Sequence, residues 1–185
     1  MYLIVGLGNP ESDYANTRHN MGFKVINELA KEYGIDIARK KFNSEYEKSI
    51  IEGEKVILIK PQTFMNASGE AVIEFVNFYK VELDKIIIIY DDMDIEPGKV
   101  RIRKSGSPGS HNGMKSVVHF LNSENFPRIR VGIGKPHNEE NRIEYVIGAI
   151  PEDEKVHLND GVKKAKNAVI ELLKNGIDTA MNQFN

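Results

Sequence analysis

Apolar positions along the chain alternate between the spacing typical of strands and the spacing typical of helices. Short β-branched runs indicate buried strands, and apolar residues three or four positions apart indicate amphipathic helices. The strands predicted in this way are residues 2–7, 45–52, 55–60, 85–90, 98–104 and 128–134. The predicted helices are residues 22–33, 69–80, 113–121 and 152–175. The strand at 85–90 is the most apolar, so we predict that it lies at the centre of the sheet.

The order of these elements predicts an α/β fold. Strands that alternate with helices are typical of a largely parallel sheet covered by helices. The strands at 45–52 and 55–60 flank a turn at Gly53 and form a hairpin, which makes the sheet mixed. We therefore expect a single domain over residues 1–185, built as a twisted mixed β-sheet surrounded by helices. The polar segment 135–142 is predicted to be a loop.

Polar residues that follow the predicted strands indicate where a ligand binds. In α/β sheets, ligands bind at the carboxyl ends of the strands. Asn9 and Asp91 come just after predicted strands, and Asn66 and Asn112 lie at the starts of predicted helices. We expect these four residues to share one crevice.

Composition narrows the function classes. The 185 residues are 41% hydrophobic and 28% charged, as in a soluble globular domain. The chain has no cysteine, which excludes disulfides and thiol catalysis. It has no basic segment followed by a long apolar run, so neither a secretory signal nor a membrane span is predicted. The net charge of −2 does not indicate a polyanionic partner, although its distribution does, as described below.

Asparagines and one histidine indicate the chemistry of the crevice. A carboxamide donates and accepts hydrogen bonds without carrying charge. His19 follows the turn that contains Asn9, and an imidazole titrates close to neutral pH, so His19 is the candidate general base. The nearby Asn9 and Tyr14 favour this role over a histidine that fills or caps a helix start. These residues predict a site that holds a neutral, amide-like chain and transfers one proton.

The turn at Gly6 and Gly8 is similar to the start of a dinucleotide-binding fingerprint. Glu11 stands where that fingerprint has its third glycine, and its carboxylate would face a pyrophosphate. We therefore predict no nicotinamide or other cofactor. A tight strand-to-loop turn remains the alternative explanation for the two glycines.

Three aspartates, Asp91, Asp92 and Asp94, crowd the end of the predicted central strand. One of them is placed to orient the imidazole of a histidine base. A magnesium site is a second possibility, because carboxylates after an apolar strand suit a hard cation. Ordinary turn chemistry is the third.

Asn66 and Asn112 also suit the N-cap position of a helix. The residues that flank Asn66, Phe64 and Met65, are not explained by capping. Both functions, helix capping and substrate binding, remain open for these two asparagines at this point.

A basic segment lies in an otherwise acidic chain, since no acidic residue occurs from Lys99 to Lys115. Alternation along a strand puts Lys99, Arg101 and Arg103 on one face, with Lys104 and Lys115 farther along. Such a stripe fits contact with a nucleic-acid phosphate backbone. The alternative is a solvated strand face without function.

Other catalytic patterns are missing from the sequence. There is no G-x-S-x-G nucleophile turn and no H-E-x-x-H zinc motif. The remaining histidines, which lack metal-ligand spacing, are His111, His119, His137 and His157. We therefore expect water to be the nucleophile and no metal to take part.

Several separated segments, in one order, resemble the signatures of bacterial-type peptidyl-tRNA hydrolases. The segments are Val5-Gly6-Leu7-Gly8-Asn9-Pro10, Thr17-Arg18-His19-Asn20-Met21-Gly22, Lys60-Pro61-Gln62-Thr63-Phe64-Met65-Asn66, Asp91-Asp92-Met93-Asp94, His111-Asn112-Gly113 and Arg128-Ile129-Arg130-Val131-Gly132. The sequence departs from the family at Glu11 and Ser110, where glycine is usual. Both departures concern the shape of the crevice loops.

The resemblance implies hydrolysis of the ester that joins a peptide to the 3′ ribose of tRNA. By position, His19 corresponds to the catalytic base and Asp91 to the carboxylate that orients it. The substrate-binding residues would be Tyr14, Phe64, Met65, Asn66 and Asn112. Either Asn9 or Asn112 would stabilise the oxyanion, and Asn9 is our candidate catalytic asparagine.

The tRNA contacts that the resemblance implies are basic. Arg103 and Arg130 correspond to residues linked to tRNA in the family, and Arg101, Lys104 and Lys115 extend this set through the basic segment. The implied partner is peptidyl-tRNA, bound by its acceptor arm and 3′ end. We expect a cytoplasmic monomer with no membrane and no obligate protein partner.

Two other functions compete with this interpretation. One is a non-catalytic RNA-binding adaptor on the same fold. The other is a metal-dependent phosphohydrolase that would use Asp92 and Asp94.

Overall fold

The computed structural model describes residues 1–138 and 141–185 and has an α/β architecture. The strands are β1 (Tyr2–Gly6), β2 (Arg39–Lys41), β3 (Ser44–Ile51), β4 (Glu54–Pro61), β5 (Ile86–Asp92), β6 (Val100–Arg103) and β7 (Arg128–Gly132). The α-helices are α1 (Met21–Glu32), α2 (Ser68–Tyr79), α3 (Asn112–Leu121), α4 (Arg142–Ile147), α5 (Glu152–Asn175) and α6 (Ile177–Phe184). The predicted fold class is confirmed.

In the described residues, one sheet has the strand order β2-β3-β4-β1-β5-β7-β6. Strands β4, β1, β5 and β7 run parallel, whereas β2, β3 and β6 each pair antiparallel with a neighbour. The middle strand is β1, with β5 beside it, so the prediction that the strand at 85–90 is central was wrong. Both strands are buried on both faces, and hydrophobicity alone cannot rank two such strands.

Helices cover both faces of the sheet and form two cores. Alternation along β1 sends Ile4 into the core under α1 and α5, and sends Leu3 and Val5 into the core under α2 and α3. This arrangement explains why the parallel strands read as continuous apolar runs. The layers leave the carboxyl ends of β4, β1 and β5 at a common edge of the sheet.

Strand β2 and helices α4 and α6 were not predicted from the sequence. Strand β2 consists of three basic residues at the sheet edge, without any apolar alternation. Helix α4 has only six residues and none is fully buried, so it has little periodicity to detect. The predicted loop at 135–142 is irregular over 135–138, residues 139–140 lie outside the described residues, and α4 begins at Arg142.

Among the described residues, no helix has both the length and the apolar character that crossing a lipid bilayer requires.

Candidate active site

The loop that carries His19 is held against the sheet by close backbone packing. A Cβ atom added to Gly6, the last residue of β1, would lie 2.2 Å from the carbonyl oxygen of Gly22 in α1. One added to Gly22 would lie 2.4 Å from the backbone nitrogen of Leu7. These glycines therefore allow α1 to touch β1, and the turn that precedes α1 comes to the end of β5. The close approach accounts for the first glycine of the fingerprint-like turn without any phosphate ligand.

His19 and Asp91 meet at this point. His19 lies in the 3-10 turn Arg18–Asn20, and Asp91 lies near the end of β5. The His19 Nδ1 atom is 2.9 Å from Asp91 Oδ2 and 3.1 Å from Oδ1. The side chain of Asp91 is 3% exposed and that of His19 is 13% exposed. An ionised carboxylate only accepts hydrogen bonds, so Nδ1 carries the proton and Nε2 keeps its lone pair.

A second imidazole contacts the same carboxylate. His111 Nε2 is 2.9 Å from Asp91 Oδ1, and the centroids of the two imidazole rings are 4.9 Å apart. His111 is also the N-cap of α3, where its Nδ1 accepts the backbone N–H of Met114 at 3.2 Å. From the sequence, His19 was expected to be a lone imidazole, and the contact of His111 with Asp91 was not predicted. The adjacency of His111 to the candidate Asn112 was the signal available for finding it.

Burial and charge shift the pKa values of this group in opposite directions. Burial alone would lower the pKa of His19, but the charge of Asp91 and the hydrogen bond to it raise that pKa above its ordinary value of 6.5. Burial alone would raise the pKa of Asp91. Positive charge on His111 or His19, together with the hydrogen bonds from both rings, holds it well below its ordinary value. Asp91 is therefore an anion throughout the neutral range, and His19 takes up a proton more readily than a free imidazole.

The same three side chains have possible metal-ligating atoms, all within 4.8 Å of one another. The hydrogen bonds around His111 oppose that use. The Met114 N–H occupies the lone pair of Nδ1, so the ring proton is on Nε2, which points at Asp91. Ligation through Nε2 would move this proton to Nδ1, where it would face another donor. The donor set therefore suits a hydrogen-bonded carboxylate better than a metal ion.

The alternative magnesium site at Asp92 and Asp94 is not supported by the geometry. Asp92 Oδ2 is 3.2 Å from the Arg130 guanidinium, and Asp92 Oδ1 accepts the backbone N–H of Asp94 at 2.8 Å. Asp94 itself is paired with Lys135 at 3.1 Å. Cationic side chains therefore already neutralise both carboxylates.

A cavity of about 520 Å³ opens beside the histidines. Its lining includes His19, Asp91, His111 and Asn112, together with Ile143 and Val146 of α4. Of the four residues that were expected to share one crevice, Asp91 and Asn112 line this cavity, whereas Asn9 and Asn66 do not.

Asn9 is hydrogen-bonded to the residue that follows His19. Asn20, the residue after His19, accepts the backbone N–H of Asn9 at 2.8 Å and donates to its carbonyl at 2.9 Å. The side-chain Oδ1 of Asn9 accepts the backbone N–H of Met65 at 2.8 Å, which fixes the orientation of the carboxamide. Among the described residues, Asn9 Nδ2 has no hydrogen-bond partner. It remains a fixed donor.

Three of the predicted substrate residues, Phe64, Met65 and Asn66, are consecutive and lie at the 3-10 turn before α2. Asn66 is exposed and lies in the 3-10 turn Met65–Ala67. Phe64 is 48% exposed and has a φ of +61°, a backbone conformation that costs energy for a residue with a side chain. Met65 packs against Gly113, since a Cβ added there would lie 2.5 Å from the Met65 sulfur.

The capping interpretation of the asparagines is wrong for both. Asn66 lies before α2 but makes no capping hydrogen bond, and the residue that caps α3 is His111 rather than Asn112. Asn112 is exposed at the first position of α3, where its side chain faces the cavity mouth. Tyr14 is half-buried in the turn before His19, and its carbonyl accepts hydrogen bonds from Thr17.

The predicted basic residues lie on β6, on β7, just after β6 and on α3. Arg101 of β6 lies directly opposite Arg130 of β7, and Arg103 lies opposite Arg128, which is 1% exposed and donates to backbone carbonyls. Lys104 follows the end of β6 and forms an ion pair with Asp178 of α6 at 2.7 Å. Lys115 is exposed on α3.

Arg18 links the cavity wall to the turn that carries His19, and no role was predicted for it from the sequence. Its guanidinium donates to the Tyr145 carbonyl of α4 at 3.1 Å and lies 3.9 Å from the centroid of the Tyr145 ring. It also pairs with Glu154 of α5. This buried arginine therefore holds α4 beside His19.

A sequence model of the family described as "Peptidyl-tRNA hydrolase" matches residues 3–185. The chain is 53% identical to the peptidyl-tRNA hydrolase of Thermoanaerobacter sp. (strain X514), over 100% of both chains. It is 51% identical to that of Clostridium beijerinckii, over 100% of this chain and 96% of the relative. The crystal structure of peptidyl-tRNA hydrolase from Acinetobacter baumannii superposes with a TM-score of 0.94 at 39% identity, over 100% of this chain and 94% of that one.

Proposed function

Because the chain belongs to the peptidyl-tRNA hydrolase family, we propose that it hydrolyses the ester between a peptide and the 3′ ribose of tRNA. The products are a free peptide and a free tRNA. The observation that carries the proposal is the His19–Asp91 hydrogen bond of 2.9 Å at the wall of a cavity. It supports a base whose Nε2 is unprotonated and available to water.

The proposed reaction has two proton transfers through His19. Nε2 takes a proton from water as the water oxygen attacks the ester carbonyl carbon, and the carbonyl oxygen becomes an oxyanion. The tetrahedral intermediate then collapses, the bond to the ribose 3′ oxygen breaks, and that oxygen takes the proton back from Nε2. Asp91 keeps Nδ1 protonated and stabilises the imidazolium that forms between the two steps.

Asn9 is the candidate donor to the oxyanion. Its Oδ1 is occupied by the Met65 N–H, so its N–H₂ group is held in one direction before the substrate binds. A preorganised donor of this kind is worth about 3 kcal/mol in comparable sites. Asn112 is exposed and less constrained, which suits contact with the substrate chain better than stabilisation of a transition state.

The remaining candidates suit a peptide of any sequence. Asn66 and Asn112 can bond to peptide N–H and C=O groups, which all peptides share. Phe64 and Met65 add apolar contact, and Tyr14 lies in the turn before the base. Such a site would bind the backbone, and preference for a peptide over a single amino acid would require contact with the second peptide unit.

Basic residues on β6 and β7 would bind the acceptor arm through its phosphates. Arg101 of β6 lies opposite Arg130 of β7, and Arg130 contacts Asp92, next to the catalytic aspartate. Arg103 lies two residues farther along β6, opposite Arg128. Lys115 would extend this surface along α3. Lys104 and Arg130 are expected to contribute less, because Asp178 and Asp92 are already paired with them. We propose that the protein acts as a monomer in the cytoplasm.

The test is turnover of an N-acetyl-aminoacyl-tRNA by the purified protein. Release of the acetylated amino acid is expected, with much slower release from the same tRNA carrying an unblocked amino acid. Protein treated with EDTA, dialysed and then assayed should retain its rate. Binding of tRNA without turnover would indicate the adaptor function, and loss of rate that added metal restores would indicate the phosphohydrolase chemistry.

A further inference from the structure

We infer that His111 is a positioning residue for this hydrolysis. Its Nε2–H orients and partly neutralises Asp91, and the position of this N–H is set by the role of His111 as the N-cap of α3. The inference rests on the proposed function. It also assigns a role to His111, which has none in the proton transfers proposed above.

The tautomer of His111 follows from its two hydrogen bonds. A backbone N–H can only donate, so the Met114 N–H at 3.2 Å requires a lone pair on Nδ1. The proton of the neutral ring is therefore on Nε2, 2.9 Å from Asp91 Oδ1. The ring of Tyr90 packs edge-on against His111, with centroids 4.9 Å apart, which limits rotation of the imidazole.

This hydrogen bond has two consequences for the base. It satisfies one oxygen of a buried carboxylate, so the other oxygen stays directed at His19 Nδ1. It also draws negative charge away from His19, which limits how strongly Asp91 favours the imidazolium. His111 therefore balances two needs of the reaction: a base that takes a proton from water, and an imidazolium that returns it to the leaving oxygen.

The placement is rigid because it comes from the start of a helix. His111 ends the loop that follows β6 and begins α3, and the next two residues are buried or face the cavity. A hydrogen-bond donor fixed by secondary structure is more precise than one on a mobile loop. The other titratable or charged groups around the cluster are Tyr90, Asp92 with Arg130, Asp94 with Lys135, and Arg142.

Two substitutions separate the two hydrogen bonds of the ring. In His111→Asn the carboxamide oxygen reaches the place of Nδ1, so the helix cap is kept and the bond to Asp91 is lost. In His111→Gln the carboxamide nitrogen reaches the place of Nε2, so the bond to Asp91 is kept and the cap is lost. The matched control is His119→Asn, the same change at an exposed histidine in the last turn of α3.

We expect His111→Asn to lower kcat on N-acetyl-aminoacyl-tRNA about tenfold, as for loss of a hydrogen bond to a charged group, with little change in KM. Its acid limb should move to higher pH, because the undiluted charge of Asp91 favours protonated His19. His111→Gln should recover most of the lost kcat, and His119→Asn should behave as wild type. In the wild type, ¹⁵N shifts of the labelled ring should identify the Nε2–H tautomer of His111.

Three results would overturn the inference. Wild-type kcat and pH profile in His111→Asn would leave His111 only its capping role. Equal impairment of the Asn and Gln variants would assign its importance to the ring itself, and a raised KM at constant kcat would assign it to substrate contact. A wild-type protein without turnover would refute the proposed function instead, while the ¹⁵N measurement would still test the tautomer.

Discussion

Replacement of Asp91 by asparagine should disable the base while hardly changing the shape of the site. Both carboxylate oxygens accept hydrogen bonds: Oδ1 is 2.9 Å from His111 Nε2 and Oδ2 is 2.9 Å from His19 Nδ1. An asparagine offers one acceptor oxygen and one N–H₂ donor in these two places. Only one of the two imidazoles can therefore still donate a hydrogen bond to residue 91.

The hydrogen bond between the Met114 N–H and His111 Nδ1 decides which imidazole still donates to residue 91. The Met114 N–H holds the proton of His111 on Nε2, so the carboxamide oxygen turns toward His111 and the N–H₂ group toward His19. His19 must then accept at Nδ1 and carry its proton on Nε2. In that tautomer it cannot take a proton from water. We expect kcat to fall about 10³-fold, which corresponds to about 4 kcal/mol of transition-state stabilisation.

The pH profile gives an independent prediction. Burial lowers the pKa of His19, while the charge of Asp91 and the hydrogen bond to it raise it. The substitution removes both causes that raise this pKa and leaves the burial, so the pKa falls. A base works only when it is unprotonated, so the wild type loses activity as the pH falls through a pKa above 6.5. In Asp91→Asn the acid limb of the residual activity should lie at lower pH.

The assay measures kcat and KM for N-acetyl-aminoacyl-tRNA from about pH 5 to about pH 9, which brackets the ordinary pKa of a histidine. Asp84→Asn is the matched control, because Asp84 is exposed just before the opposite end of β5 and undergoes the same change of charge. A variant with unchanged kcat, or an acid limb that stays in place or moves to higher pH, would refute the reasoning about His19 and Asp91.

Three further predictions concern catalysis, tRNA binding and packing. His19→Ala should lower kcat at least 10²-fold and leave tRNA affinity unchanged in a filter-binding assay, because the base contacts no phosphate; a wild-type rate would remove His19 from the mechanism. Arg103→Ala should weaken tRNA binding and reduce the slope of log affinity against log salt by about 1. Lys104→Ala should change this slope less, because Lys104 is already paired with Asp178 of α6. Equal slopes in the wild type and Arg103→Ala would contradict phosphate contact. Gly6→Ala should lower the free energy of unfolding, measured in urea, by about 1–3 kcal/mol or more, because the new methyl group meets the backbone of α1 at 2.2 Å. Gly161→Ala in α5, where the nearest atoms lie at 3.5 Å, should raise that free energy by up to about 1 kcal/mol. Equal effects would show that backbone contact is not limiting at Gly6.

The α/β class and most elements were predictable because they depend on local periodicity. The helix predicted at 152–175 coincides with α5, and the hairpin lies within one residue of its predicted bounds. Short elements such as β2 and α4 were not predictable, since three or six residues contain too little of a period. The order of the strands was not predictable either, because β1 and β5 are both strongly apolar and their pairing depends on crossovers that leave no local pattern.

For the site, the sequence supplied the residue types, and the structure arranges them in space. The pairing of His19 with Asp91, 72 residues apart in the chain, was expected from the resemblance to a known family and from the chemistry of a base. The part of His111 was not expected, because Asn112 was the candidate for the N-cap of this helix and the sequence indicated no partner for His111. It is a cap, and only the position of α3 above β5 gives its second nitrogen a partner.

The division between the two levels follows from the range of the forces. Side-chain periodicity, turn chemistry and residue type act over a few positions, and these determined the class of fold, the absence of thiol chemistry and the set of candidate groups. Hydrogen-bond geometry acts over about 3 Å between groups that the chain brings together from far apart. Only the packed sheet and helices decide that Asp91 lies between two imidazoles, that Asn9 has a fixed donor, and that Lys104 is already paired.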